Sequence, residues 1–188
     1  EAGPIISVNR PSTGLKMDTV GTPLRGVEVR IAEDSEILVR GELVMHGYWR
    51  NAEETARTLK DGWLHTGDVG HLDEQGRILI TDRKKDIIIS GGENIYPAEL
   101  EGVLRKNESV ADVAVVGRPD PDWGEVPLAF IELQSGTTFD EQKTRQLCDE
   151  QLARFKHPKS FIVLEQLPRN TMGKVLKYEL RKTVNEMN

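Results

Sequence analysis

The apolar positions of this chain fall into short runs whose period switches between two and 3.6. Val27-Glu28-Val29-Arg30-Ile31 alternates as a half-buried strand should. Glu36-Ile37-Leu38-Val39-Arg40 and Leu43-Val44-Met45 read as further short strands, parted by Gly41 and a charged turn, and together suggest a small antiparallel β unit. Asn51 with Glu54 three residues on is a capping pattern, which predicts a short helix over 52–60 ended by Gly62. Arg77-Ile78-Leu79-Ile80-Thr81 is the last strand before five consecutive charged residues, Asp82 to Asp86. Ile87-Ile88-Ile89 then reads as a buried strand, Gly91-Gly92 as a flexible loop, and Pro97 as the first turn of a helix over 97–107. Leu100, Val103 and Leu104 share one face of that helix. Glu99 and Glu101 in its first turn and Arg105 and Lys106 in its last match its dipole. Val110–Val116 and Val126–Leu133 are continuous enough to be buried strands. Thr138 with Glu141 fits a capping box, opening a helix that carries Leu147, Cys148 and Leu152. Phe161–Leu164 is a strand, and a final helix from about Lys177 uses Leu180 and Val184.

These elements predict an α+β protein in two parts. Residues 1–84 are mainly β, with a small distorted β-barrel as the expected form. Residues 85–188 alternate strand and helix around a small sheet, and the boundary falls at Lys85.

Composition adds little to the fold. The chain has 188 residues, 37% hydrophobic and 30% charged, which rules out a disordered chain and allows one domain or two small ones. The net charge of −6 gives no reason to expect nucleic acid. Its distribution is uneven: residues 151–188 carry +5 and the remainder −11, so a local anionic ligand such as a phosphate group suits the basic end. Cys148 is the only cysteine, so no intrachain disulfide forms. No apolar run approaches a membrane span. A cytoplasmic protein, free or peripheral to a membrane, is the resulting expectation.

Asp61-Gly62-Trp63-Leu64-His65-Thr66-Gly67-Asp68, then Gly76, then Asp82-Arg83-Lys84-Lys85-Asp86 resembles the signature of the AMP-forming acyl-CoA synthetases, within the adenylate-forming enzymes. Pro168-Arg169-Asn170-Thr171-Met172-Gly173-Lys174 resembles the closing motif of that family, and the fatty-acyl form is the nearest match. The resemblance implies a C-terminal piece of a larger enzyme, with the phosphate loop and the acyl pocket upstream of Glu1, and a fragment that does not complete the reaction alone. It also implies that a small domain rotates about Lys85 between two half-reactions. In the first, an acid and ATP give acyl-AMP and pyrophosphate. In the second, the thiol of coenzyme A displaces AMP.

The resemblance assigns roles residue by residue. Lys174 is the expected catalytic cation, reaching the carboxylate and the α-phosphate. Asp68 accepts from the ribose hydroxyls, and Arg83 adds a cationic fork near ribose or phosphate. Gly91 and Gly92 line the pantetheine channel. Trp123, Phe155, His157 and Lys159 are the candidates for the coenzyme A nucleotide, where aromatic faces stack on adenine and cations meet phosphates. Some relatives carry arginine where His157 stands. Glu1 is the expected magnesium ligand. His46, His65 and His71 lack zinc-site spacing and are read as structural. The expected substrates are a carboxylic acid, ATP with Mg2+, and coenzyme A. A fatty acid is the favoured acid. An aryl-CoA ligase and a non-catalytic nucleotide-binding or docking module are the alternatives.

Overall fold

Two hairpins closed by positive-φ pairs organise this protein. A computed structural model describes residues 1–3, 5–11 and 15–187. Asp61 (φ 51°) and Gly62 (φ 78°) close one hairpin, and Gly91 (φ 58°) and Gly92 (φ 86°) the other. Positive φ at both central residues matches the right-handed twist of the flanking strands. The chain divides into two compact units, Glu1–Lys85 and Asp86–Asn188.

The first unit opens with a two-stranded antiparallel pair, β1 (Ser7–Val8) and β2 (Thr22–Pro23). Its main sheet holds β3 (Val27–Ile31), β4 (Glu36–Gly41), β5 (Leu59–Lys60), β6 (Trp63–Leu72) and β7 (Ile78–Arg83). The order is β3-β4-β6-β5, and β7 also pairs with β6. β6 is long enough to take β5 beside its start and β7 beside its end, the latter in register Asp68↔Arg83. A short helix, α1 (Ala52–Thr58), precedes β5, and Asn51 caps it by accepting from Glu54 N–H at 3.0 Å. Val27, Ile37, Val39, Leu64 and Ile78 form the core.

The expected barrel is corrected to an open sheet. Among the described residues β3 pairs only with β4, and β5 and β7 only with β6, so no pairing closes the ring. Leu43-Val44-Met45 is not a strand either. Val44 N–H turns back to Gly41 C=O at 3.0 Å, leaving a single bridge from Val44 to Ala2.

Lys84–Asp86 forms one turn of 3₁₀ helix at the junction. The second unit then runs β8 (Ile88–Ser90), β9 (Glu93–Ile95), α2 (Pro97–Leu104), β10 (Val110–Asp120), β11 (Gly124–Leu133), α3 (Glu141–Gln151), β12 (Ser160–Leu164) and α4 (Lys177–Glu186). β11 is central: it pairs antiparallel with β10 on one side, and on the other with β12 in parallel and β8 antiparallel. Both faces of this sheet are covered. Val113, Val115, Ala129 and Ile131 pack with Leu100 and Leu104 of α2 and Cys148 of α3. The alternate residues Ala114, Val116, Leu128 and Phe130 pack with Leu180 and Val184 of α4. Burial on both faces explains the near-continuous apolar runs of β10 and β11. Phe130 is fully buried, and Phe130→Ala is expected to destabilise the chain by about 3–5 kcal/mol. Chemical denaturation of wild type and variant side by side checks this.

Three local expectations shift. Helix α2 ends at Leu104, so Arg105 is its C-cap and Lys106 lies beyond it. Arg105 pairs with Asp112 at 3.1 Å instead of completing another turn. The cap of α3 is Asp140, accepting from Lys143 N–H at 2.9 Å, and not Thr138. Finally, the Ile88 side chain is buried but Ile89 is 56% exposed, so β8 has one dry face only.

Candidate functional site

In the first unit, Asp68 sits near the middle of β6, one residue past the positive-φ Gly67. Its N–H donates to Thr66 Oγ1 at 3.1 Å, while Thr66 Oγ1 donates to Ile37 C=O at 2.7 Å. Arg83, its register partner on β7, places Nε 2.8 Å from Asp68 Oδ1. The two residues expected at the ribose are therefore brought together. An ionised carboxylate is chemically suited to accept from both hydroxyls of a vicinal diol. Trp63, from the same segment, packs with the guanidiniums of Arg30 and Arg40, which lie 4.7 and 4.6 Å from its ring centroid.

Glu36 is the site residue that the sequence did not flag. It heads β4, and its side chain is only 4% exposed. Its carboxylate accepts from Gly67 N–H at 3.0 Å and from Lys84 Nζ at 2.9 Å, and lies 2.8 Å from His65 Nδ1. Burial pushes its pKa up, but the bonds from Lys84, His65 and Gly67 outweigh that and hold it below the ordinary value. Lys84 is raised in turn, first by Asp34 at 2.6 Å and then by Glu36. His65, read from the sequence as structural, joins this network through Nδ1. An acid at the head of the apolar run Ile37-Leu38-Val39 was the available signal.

Glu1 accepts a hydrogen bond from the Tyr48 hydroxyl. It lines a cavity of about 340 Å³ with Glu36, Arg57, Lys60, His65 and Lys84. Among the described residues no group of three or more His, Cys, Asp or Glu side chains could hold a metal. One carboxylate nevertheless suits Mg2+, which commonly uses one or two carboxylates with the remaining positions on phosphate and water.

In the second unit, Gly91, Trp123, Phe155, His157 and Lys159 line one cavity of about 320 Å³. Four separate segments meet there: the β8–β9 turn, the β10–β11 turn, α3 through Arg145, and the stretch 154–159 leading into β12. Trp123 is 52% exposed and Phe155 47%, so neither is a core residue. Gly91 explains how Trp123 is placed. Gly91 N–H donates to Trp123 C=O at 2.8 Å, and a Cβ on Gly91 would stand 2.7 Å from the indole, so only glycine admits this approach. Gly92 lies outside the lining, and a Cβ there would meet nothing within 4 Å.

The side chain of His157 is engaged internally. Its Nε2 is 3.1 Å from Leu152 C=O and its Nδ1 3.5 Å from Asp149. Two further cations line the cleft, Arg145 and Arg154. Arg145 binds Glu141 at 2.7 Å and lies 5.1 Å from the Phe161 ring centroid, whereas Arg154 is exposed on the segment leading into Phe155. Lys174 is elsewhere. It is exposed in a turn where Asn170 Oδ1 accepts from the N–H groups of Met172 and Lys174, at 3.0 and 2.9 Å, and Arg169 donates to Gly173 C=O at 2.9 Å.

The class follows from comparison with known proteins. Residues 99–174 match the family model of the AMP-binding enzyme C-terminal domain. The 2-succinylbenzoate–CoA ligase of Listeria monocytogenes serotype 4b (strain F2365) is 44% identical over 167 residues, covering 89% of this chain and 35% of that protein. The 3-[(3aS,4S,7aS)-7a-methyl-1,5-dioxo-octahydro-1H-inden-4-yl]propanoyl:CoA ligase of Rhodococcus jostii (strain RHA1) is 51% identical over 165 residues, covering 87% and 32%. Among solved structures, O-succinylbenzoate coenzyme A synthetase from Bacillus subtilis, in complex with ATP and magnesium ion, superposes with a TM-score of 0.83 at 38% identity, covering 94% of this chain and 38% of that one. Residues 99–174 therefore form an AMP-binding enzyme C-terminal domain, and along most of its length the chain is similar to CoA ligases. It spans about a third of the length of the curated relatives it matches. Among the described residues no helix is long and apolar enough to cross a membrane.

Proposed function

We propose that the protein carrying this chain is an ATP-dependent ligase joining a ring-bearing carboxylic acid to coenzyme A through an acyl-AMP. The two relatives described above are named for acids with ring systems, one aromatic and one alicyclic, which favours a ring-bearing acid, nearer the aryl alternative, over the fatty acid expected from the motifs. In the first half-reaction a carboxylate oxygen attacks the α-phosphorus of ATP, and pyrophosphate leaves. Asp68 grips the ribose hydroxyls with Arg83 beside it, Lys174 offsets charge between the carboxylate and the α-phosphate, and Glu1 is the residue that would hold Mg2+. Bound there, the ion would supply positive charge to the phosphates. In the second half-reaction the thiolate sulfur of coenzyme A attacks the acyl carbon and AMP leaves. Trp123 and Phe155 take the adenine, Lys159 meets phosphate, and the Gly91-Gly92 turn borders the pantetheine arm.

One observation carries this reading: residues expected at the coenzyme A nucleotide, from segments far apart in sequence, share a single cleft. Lys85 is the proposed pivot between half-reactions. It is supported by its neighbours, since Lys84 is tied to Asp34 and Glu36 of its own unit and Asp86 to Arg181 of its own at 2.6 Å.

Trp123→Ala and Lys159→Ala in the complete protein test the cleft. Losing base stacking is worth about 1–3 kcal/mol, so Trp123→Ala is expected to raise KM for coenzyme A by about tenfold while pyrophosphate exchange continues. Unchanged KM in both variants would remove the cleft from the coenzyme site. A panel of ring-bearing and straight-chain acids measures the substrate class directly, and faster turnover of straight-chain acids would return the reading to fatty acids.

A further inference from the structure

We infer that Glu36 is a positioning residue for nucleotide binding, whose buried carboxylate fixes Asp68 where the ribose diol meets it. The inference rests on the assignment of Asp68 to the ribose hydroxyls. Glu36 holds the residues on either side of the Asp68–Arg83 pair. Gly67, which precedes Asp68 on β6, donates its N–H to Glu36 Oε1 at 3.0 Å. Lys84, which follows Arg83 on the neighbouring strand, reaches Glu36 Oε2 at 2.9 Å. His65 Nδ1 lies 2.8 Å from that same Oε2. One carboxylate thus ties the stretch before Asp68 to the chain after Arg83.

The local backbone needs such a tie. Gly67 has φ +70°, and a Cβ built on it would meet nothing within 4 Å, so glycine is present for conformation and not for space. The ladder slips beside it: the β4–β6 register shifts between Glu36 and Leu38, and the β6–β7 register between Val69 and Gly70. Where the ladder is irregular, side-chain bonds must set the direction of Asp68. Burying a carboxylate at 4% exposure is unfavourable unless it is paired and hydrogen-bonded, and the three donors around Glu36 meet that condition.

The test compares ATP with 2′,3′-dideoxy-ATP in pyrophosphate exchange by the complete protein. Hydrogen bonds to a charged group are each worth about a factor of ten or more, so wild type is expected to prefer ATP by at least about tenfold. Glu36→Gln keeps size and a carbonyl acceptor but loses the charge that Lys84 and His65 meet. Its KM for ATP is expected to rise while KM for the dideoxy analogue barely moves, shrinking the preference to about threefold or less. Asp68→Asn should erase the preference, and the double variant should be no worse than Asp68→Asn alone, because residues acting through one another are non-additive. A folded Glu36→Gln enzyme that loses affinity equally for both nucleotides overturns the inference, since a merely structural role would have that signature. An Asp68→Asn enzyme that keeps the full preference overturns the ribose assignment itself. Thermal unfolding accompanies every variant. If Glu36→Gln does not fold, Lys84→Met removes one partner from the exposed side of the same carboxylate, and an unchanged preference in that variant counts against the inference as well.

Discussion

Lys174→Ala in the complete protein should slow acyl-AMP formation by about 10²–10³-fold, the usual cost of removing one preorganised donor to developing charge. The turn that carries Lys174 shows why the effect should be confined to one step. Asn170 and Arg169 hold the backbone from Asn170 to Gly173 through three short bonds, so the loop keeps its form without the Lys174 side chain. The bridge between Arg169 and Val175 closes the same turn from outside. Truncation therefore removes a charge and little else. As the acid attacks and pyrophosphate leaves, charge moves between the carboxylate and the α-phosphate, and a compact ammonium is suited to follow it. Displacement of AMP by the thiol should need that cation far less if the second unit has turned about Lys85 by then. Supplying presynthesised acyl-AMP and coenzyme A isolates the second step, and near wild-type thioester formation is expected. Equal losses in both half-reactions would place Lys174 in general folding or binding instead.

What could be read from the sequence depended on whether a segment's burial was local to it. β10 and β11 were legible because both faces are covered, which makes Val110–Val116 and Val126–Leu133 apolar almost throughout. The start of α4 at Lys177 and the Asn51 cap were legible for the same local reason. β6 was not. Its run Trp63–Leu72 includes His65, Thr66, Gly67, Asp68, Gly70 and His71, and lacks the alternation of a strand until β4, β5 and β7 pair with it. The closure of the first sheet was also beyond the sequence, since strand count and alternation are the same in an open sheet and a barrel. Asp140 prevailed over Thr138 as a cap although both are favourable types, because helical geometry begins at Glu141. At the site, the roles of Asp68 and Arg83 at ribose or phosphate, of Gly91 at pantetheine, and of Trp123, Phe155, His157 and Lys159 at the coenzyme A nucleotide were expected only through family resemblance; no spacing in the chain joins those segments. Glu36 escaped notice because its burial is imposed by partners from β6 and from the residue after β7, not by anything near it in sequence.

Gly92→Leu should act on the opposite half-reaction, lowering thioester formation by about 10²-fold, the loss associated with a misplacement of about 1 Å in a reacting pair, while pyrophosphate exchange continues. The structure separates two ways in which this glycine can matter. Its φ of +86° is left-handed, a conformation that costs an ordinary residue about 1–2 kcal/mol. A Cβ at that position would nonetheless project into open space, so a bulky side chain extends into solvent or into whatever crosses the turn. Gly91 behaves differently: any Cβ there displaces Trp123, which confounds turn, cleft and stacking in one substitution. Gly92 is therefore the cleaner probe of the pantetheine path. Gly92→Asn is the control, because asparagine tolerates positive φ better than most side chains do. It should fold like wild type and retain more of the thioester activity than leucine does, in proportion to its smaller bulk. Thermal unfolding reports the strain, and the two half-reactions reported side by side show the obstruction. A folded Gly92→Leu enzyme that makes thioester at the wild-type rate would limit Gly92 to forming the turn and would move the pantetheine path away from the β8–β9 hairpin.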